Sequence, residues 1–289
     1  MAVDPHRLLN WRIPEVRQRL EPHDAILYAL GVGLGHDPLD RNQLRYVYED
    51  GLRVLPTMAT VLAHPGFWMM DPGTGIDWRR AVHGEQSMQL FAPLPVSGEV
   101  IGRSRVVDVD DKGVGTGLFV RHEREVSDAA TGDTLCLLSM TSVCRGDGGV
   151  GSAHGPGWPQ GIRSLPATPD RAPDVTVDLP TQQNAALIYR LSGDLNPLHA
   201  DPKVAHSAGF ERPILHGLCT FGVAGHALLR GLCDYSPQRL KAMGARFSAP
   251  VLPGETIRTE IWRDRGHAYF RCLGVERGVV VVTHGFAQA

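Results

Sequence analysis

The chain predicts an α+β architecture in which a long helix wrapped by an antiparallel sheet occurs twice. Three observations predict it. A glycine- and proline-rich stretch from Arg145 to Asp174, RGDGGVGSAHGPGWPQGIRSLPATPDRAPD, has almost no apolar periodicity and divides the chain. On either side of it, FAPLPVSGEVI (Phe91 to Ile101) aligns without gaps on FSAPVLPGETI (Phe247 to Ile257), so that Phe91, Gly98, Glu99 and Ile101 recur as Phe247, Gly254, Glu255 and Ile257. Each of these segments lies beside one long apolar run and several alternating, β-branched runs.

The elements are taken in chain order. In the first half, LPTMATVLAHPGFWMM (Leu55 to Met70) has helical character. After it come RSRVVDVDDKGVGTGLFVRHEREV and LCLLSMTSV, whose alternation between glycine and aspartate turns reads as hairpin meanders. The second half repeats the scheme with ILHGLCTFGVAGHALLRGL as the helix and RTEIWRD, HAYFRCLGVE and VVVVTHGFA as strands. Two such units, whose sheets join edge to edge, hide an edge from each partner. The units are placed at residues 1–144 and 175–289, with 145–174 as the linker.

Bulk properties narrow the function. With 289 residues, 43% hydrophobic and 21% charged, and a net charge of -2, the chain buries a sizeable core and carries no basic patch, so nucleic acid is not an expected partner. Its apolar runs fall short of the roughly 20 residues that cross a bilayer. Neither end reads as a targeting signal, and five cysteines without a C-x-x-C pair suggest free buried thiols, so a cytosolic location and no membrane partner are expected. Thirteen histidines invite a metal, and His199, His206, His216 and His226 share one region, but no H-E-x-x-H or close carboxylate–histidine set accompanies them; none is expected. GVGLG and GVGTG do not match the dinucleotide fingerprint.

Chemistry concentrates in YRLSGDLNPLHADP, Tyr189 to Pro202, which offers Asp194, Asn196 and His199 on a stretch that Gly193 and Pro197 keep from being helical. TQQNAALIYRLS before it reads as a helix capped by Thr181 and stopped by Gly193. Aspartate and asparagine are also ordinary turn formers, so the loop alone does not establish a site. The next segment adds weight. In GFERPILHGLCTFG, Pro213 precedes an apolar helix and Gly217 falls near its first turn, where amides have no internal partner and no side chain blocks approach. An oxygen gaining negative charge can be held there.

These residues carry a resemblance. YRLSGDLNPLHADPKVAHSAGFERPILHGLCTFG resembles the signature of the type 2 (R-specific, MaoC-like) enoyl-CoA hydratases, including the hydratase part of peroxisomal multifunctional enzyme type 2. YALGVG (Tyr28 to Gly33), VLPT, VHGEQ and RFSAPVLPGETIRTEIW are similar to other segments of that family. The resemblance implies a double hotdog fold and reversible syn hydration of a trans-2-enoyl-CoA to a (3R)-3-hydroxyacyl-CoA, without a cofactor. It implies Asp194 and His199 as the pair that grips one water, Gly217 as the oxyanion donor, and Asn196 as a residue that orients the loop or touches substrate. It places coenzyme A contacts at His83, Gly84, Lys112 and Phe247, and implies a homodimer. Aligning Tyr28 and Leu30 on Tyr189 and Leu191 puts Gly33 where Asp194 stands and Pro38 opposite His199, so one active site per chain is expected. The first half is then expected to supply acyl-chain space through a broken central helix, with long or bulky acyl groups as substrates. Two alternatives use the same ligand: a hotdog acyl-CoA thioesterase and a non-catalytic acyl-CoA-binding partner protein.

Overall fold

The computed structural model describes residues 2–157, 162 and 164–289. In the first half, two short helices, α1 (Pro5–Leu9) and α2 (Pro22–Gly31), flank strand β1 (Val16–Leu20), and α3 (Arg41–Leu44) comes next. Strands β3 (Gly98–Asp111), β4 (Leu118–Asp128) and β5 (Thr134–Cys144) form the meander that the alternating sequence predicts, and β2 (Ala81–Leu90), outside the predicted runs, pairs with β5. The second half contains β7 (Val175–Pro180), helices α4 (Ala185–Tyr189), α5 (Pro202–Ser207) and α6 (Gly217–Leu232), and strands β8 (Ala242–Phe247), β9 (Thr256–Asp264), β10 (His267–Gly274) and β11 (Val279–Gln288). Between the halves, Ala153–His154 forms a two-residue strand, β6, on β3. The expected linker also includes Trp158, Pro159, Gln160, Gly161 and Arg163, which lie outside the described residues.

All strand pairs are antiparallel, and they join into one sheet in the order β1-β3-β4-β5-β2-β8-β11-β10-β9-β7, with β6 beside β3. The order is symmetric about the β2–β8 pair: β1, β3, β4, β5 and β2 on one side answer to β7, β9, β10, β11 and β8 on the other. This is the edge-to-edge union of two sheets predicted from the repeat. Glu85 lies opposite Arg246 across that seam, and their side chains pair at 2.7 Å.

The two central segments differ. Ile214 to Leu232 contains no proline, and α6 runs as a continuous helix whose residues Cys219 to Leu229 are all buried. Leu55 to Met70 does not form the long helix its apolar periodicity suggests. Only a 3-10 turn, Pro56–Val61, precedes Ala63 at a positive φ of 44°, and the chain then turns through His64, Pro65 and Gly66. The 3-10 segment ends at Val61 after about two turns, and Pro65, which lacks an amide donor and disfavours helical backbone at His64, keeps the helix from resuming. The space is partly taken by α6: a Cβ built at Gly225 lies 2.4 Å from Thr57 Cγ2, and one at Gly222 lies 2.5 Å from Val32 Cγ1. Glycine on this face lets α6 pack closely against the Thr57, Val32 and Tyr28 side chains of the first half. The main core is continuous across both halves, from Leu20 and Tyr28 to Phe270 and Val282. No described helix is long and apolar enough to cross a membrane, and all five cysteines are free and buried.

Candidate active site

The helix before the catalytic loop starts later than predicted. Asn184, not Thr181, occupies the N-cap of α4, and Thr181 is drawn away because its hydroxyl donates to the Glu255 carbonyl at 2.7 Å. Gly193 ends the following 3-10 turn at φ 118°, a left-handed conformation that suits glycine. The chain then folds back. The Asn196 amide donates to Asp194 Oδ1 at 3.1 Å, and Asn196 Oδ1 accepts from the Leu198 amide at 3.0 Å, capping the turn Pro197–His199. Asn196 therefore caps this turn and is tied to Asp194 through its own amide.

His199 is 8% exposed, and its Nδ1 lies 2.8 Å from the Ile214 carbonyl. A carbonyl only accepts, so Nδ1 carries the proton and Nε2 is free to accept. Burial holds the imidazole below its ordinary pKa, against opposing contributions from the Ile214 hydrogen bond and the Asp194 charge. His199 is thus neutral near pH 7.

A third side chain completes the cluster. The His216 ring lies 3.8 Å from the His199 ring, centroid to centroid, tilted by 30°. Its Nε2 donates to the Asp194 carbonyl at 3.2 Å, while Nδ1 is buried and has no partner among the described residues. Burial, reinforced by His199, pushes its pKa down to about 4. One donor atom each from Asp194, His199 and His216 lies within 4.8 Å of the others, a spacing that suits a bound water and also has the dimensions of a three-ligand metal site. Sequence reasoning does not assign His216 to the site; its signal is its position, immediately before Gly217.

His216 is the N-cap of α6 and Gly217 its first residue, and among the described residues no group accepts from the Gly217 amide. Phe247 stands over this helix end, 3.6 Å from a Cβ built at Gly217. His83 packs edge-on against Phe247 at 4.8 Å, with Nε2 3.1 Å from the Glu85 carbonyl, and burial lowers its pKa to about 4. His83, Phe247 and Gly217 are therefore contiguous across the β2–β8 seam. Gly84 sits at a β-bulge where a Cβ would lie 2.8 Å from Val143 Cγ2, so strand packing accounts for this glycine. Lys112, at the start of the β3–β4 turn, pairs with Asp110 at 2.5 Å.

The fold and the loop define the class. Residues 164–284 match the MaoC like domain, and residues 19–146 match the MFE-2 hydratase 2 N-terminal domain. The chain belongs to the MaoC-like hydratase 2 family. It is 40% identical over 277 residues to 3-hydroxyacyl-thioester dehydratase Y of Mycobacterium tuberculosis, covering 94% of this chain and 91% of that one. It is 35% identical over 286 residues to the peroxisomal enoyl-CoA hydratase 2 of Arabidopsis thaliana, covering 95% and 92% respectively. Among solved structures, a MaoC-like dehydratase from Phytophthora capsici superposes with a TM-score of 0.83 at 30% identity, over 99% of this chain and 98% of that one. Full-length peroxisomal multifunctional enzyme type 2 from Drosophila melanogaster gives a TM-score of 0.81 at 34% identity, over 95% of this chain and 48% of that one.

Proposed function

We propose that the chain catalyses reversible syn hydration of trans-2-enoyl-CoA to (3R)-3-hydroxyacyl-CoA. The observation that carries this reading is the convergence of the Asp194 carboxylate and the neutral His199 imidazole beside the unpaired amide at the start of α6. Water held by the pair loses a proton as its oxygen attacks C3. The π electrons move toward the thioester oxygen, where the Gly217 N–H and the positive end of the helix stabilise the enolate. The proton taken from water is returned to C2, so one water supplies both new bonds from the same face. Asp194 is the principal base, and His199, fixed through Nδ1, holds the water and helps carry its proton. The addition is redox-neutral and needs no further cofactor. His83, Gly84, Lys112 and Phe247 form the coenzyme A side in this reading, supported most directly by the His83–Phe247 contact.

The broken central helix of the first half supports long or bulky acyl groups. Family resemblance supports a homodimer, which light scattering in solution tests, and the buried free thiols support a cytosolic location, which fractionation tests. The decisive assay supplies crotonyl-CoA with a thiol reagent: loss of enoyl absorbance without thiol release, giving a (3R) product, is expected. Release of free coenzyme A would instead identify a thioesterase.

A further inference from the structure

Beside the catalytic helix end lies a second polar cluster, in the first half. A narrow cleft, partly open to solvent and with free room for about one water molecule, is lined by Thr60, His64, Gln86, His122, Arg124, Leu138, Met140 and Leu218. Leu218 follows Gly217 directly, and Gln86 lies three residues beyond His83 on β2, so the cleft continues the proposed substrate site. The strand register builds its floor: Gln86 pairs with Met140 and Met140 with His122, while Arg124 pairs with Leu138. Thr60 and His64, from the segment that does not form a long helix, line the same cleft.

Arg124 is the anomaly. Only 5% exposed, it donates through Nη2 to the Thr60 carbonyl at 2.6 Å, while its Nε is buried without a partner among the described residues. His122, 6% exposed, likewise has an unpartnered Nδ1. No residue lining the cleft is acidic. Burial lowers the arginine only to about 10, so it is charged at neutral pH, whereas burial drives His122 down to about 3 and keeps it a neutral donor or acceptor. A buried cation with a single carbonyl for company is costly, and unsatisfied donors of this kind mark a place where a ligand supplies the missing acceptor.

We propose that this cleft receives the far end of the acyl group and that the preferred substrate carries a carboxylate there, held by Arg124 with His122 and His64 beside it. The inference rests on the hydratase reading, which it deepens. A guanidinium fork with a free Nε–H suits a planar carboxylate, and a methyl-ended chain would leave the charge uncompensated.

The test compares ω-carboxy trans-2-enoyl-CoA substrates of graded length with methyl-ended substrates matched in length, in wild type and in Arg124→Met. At the best length, wild type is expected to favour the carboxylated substrate by at least about tenfold in kcat/KM, and Arg124→Met to reduce that ratio by at least about tenfold. Indifference or preference for the methyl-ended series in wild type, or an unchanged ratio in Arg124→Met, overturns the proposal. Calorimetric titration of wild type with saturated ω-carboxyacyl-CoA and with its methyl-ended counterpart reads the same preference without turnover. If neither enoyl series is hydrated but the carboxylated ligand binds more tightly, the hydratase reading fails and this inference stands; equal binding overturns the inference even where hydration is observed. If Arg124→Met does not fold, the two wild-type comparisons decide.

Discussion

The two halves share a strand order but not a centre. In the second half, a continuous helix fills the sheet's inner face and delivers its free N-terminus to a loop bearing Asp194 and His199. In the first, the matching segment is helical only to Val61, and His122 and Arg124 lie beside it in a polar cleft. At the loop position, Gly33 holds a positive φ of 86° where the second half has Asp194. Tyr28 and Tyr189, which the repeat aligns, lie with ring centroids 5.9 Å apart, so the two equivalent helices meet across the pseudo-symmetric middle. One sheet plan thus carries a catalytic centre on one side and a narrow, largely buried polar cleft on the other, while strand pairing and a shared core both join the halves.

The sharpest way to break this contrast is to remove the chemistry from the second half. Asp194→Asn and His199→Gln are each expected to lower kcat on the order of a thousandfold, with thermal unfolding little changed; wild-type rates in either variant would return the site to the realm of turn chemistry.

Acid probes both halves at once. Burial keeps His216 and His226 down to about 4 and His122 down to about 3 in the folded protein, against an unfolded value of about 6.5. Because these folded values are depressed, the stability they represent is complete above about pH 6.5 and declines as pH falls toward 4, where the unfolded chain binds the extra protons. Urea midpoints measured across that window should fall steadily, and a flat response would contradict the neutral buried imidazoles.

The mildest perturbation tests the contact between the halves. Gly225→Ala puts a methyl group against Thr57 and is expected to cost about 1–3 kcal/mol in chemical denaturation, whereas a neutral result would show that α6 and the first half are less closely apposed.

Much of the candidate site is legible in the sequence because residues that restrict the backbone set its bend and its helix start. Gly193 and Pro197 force a bend, and Pro213 followed by Gly217 announces a helix start with an open amide. His216 escapes because its contribution depends on stacking against His199, a tertiary contact with no sequence spacing of its own. Thr181 misleads as a cap because its hydroxyl has a better partner in Glu255, distant in sequence and just ahead of β9. Apolar periodicity over-reads the first-half helix, although Pro65 holds the correction. Arg124 is invisible for a physical reason: RHERE places charge on both faces of β4, a pattern that normally means solvent on at least one side, yet His122, Glu123 and Arg124 are all buried.

The ends of the sheet set a limit on how copies of this chain can associate. Its outermost strands are β1, five residues long with Arg17 and Arg19 exposed, and β7, which finishes in a proline and ties Asp178 to Arg258 at 2.7 Å. Short, charged or proline-terminated margins resist annexation by a neighbour's backbone. Pairing through these two margins is therefore disfavoured, and side-chain faces are the surfaces left on which copies can meet.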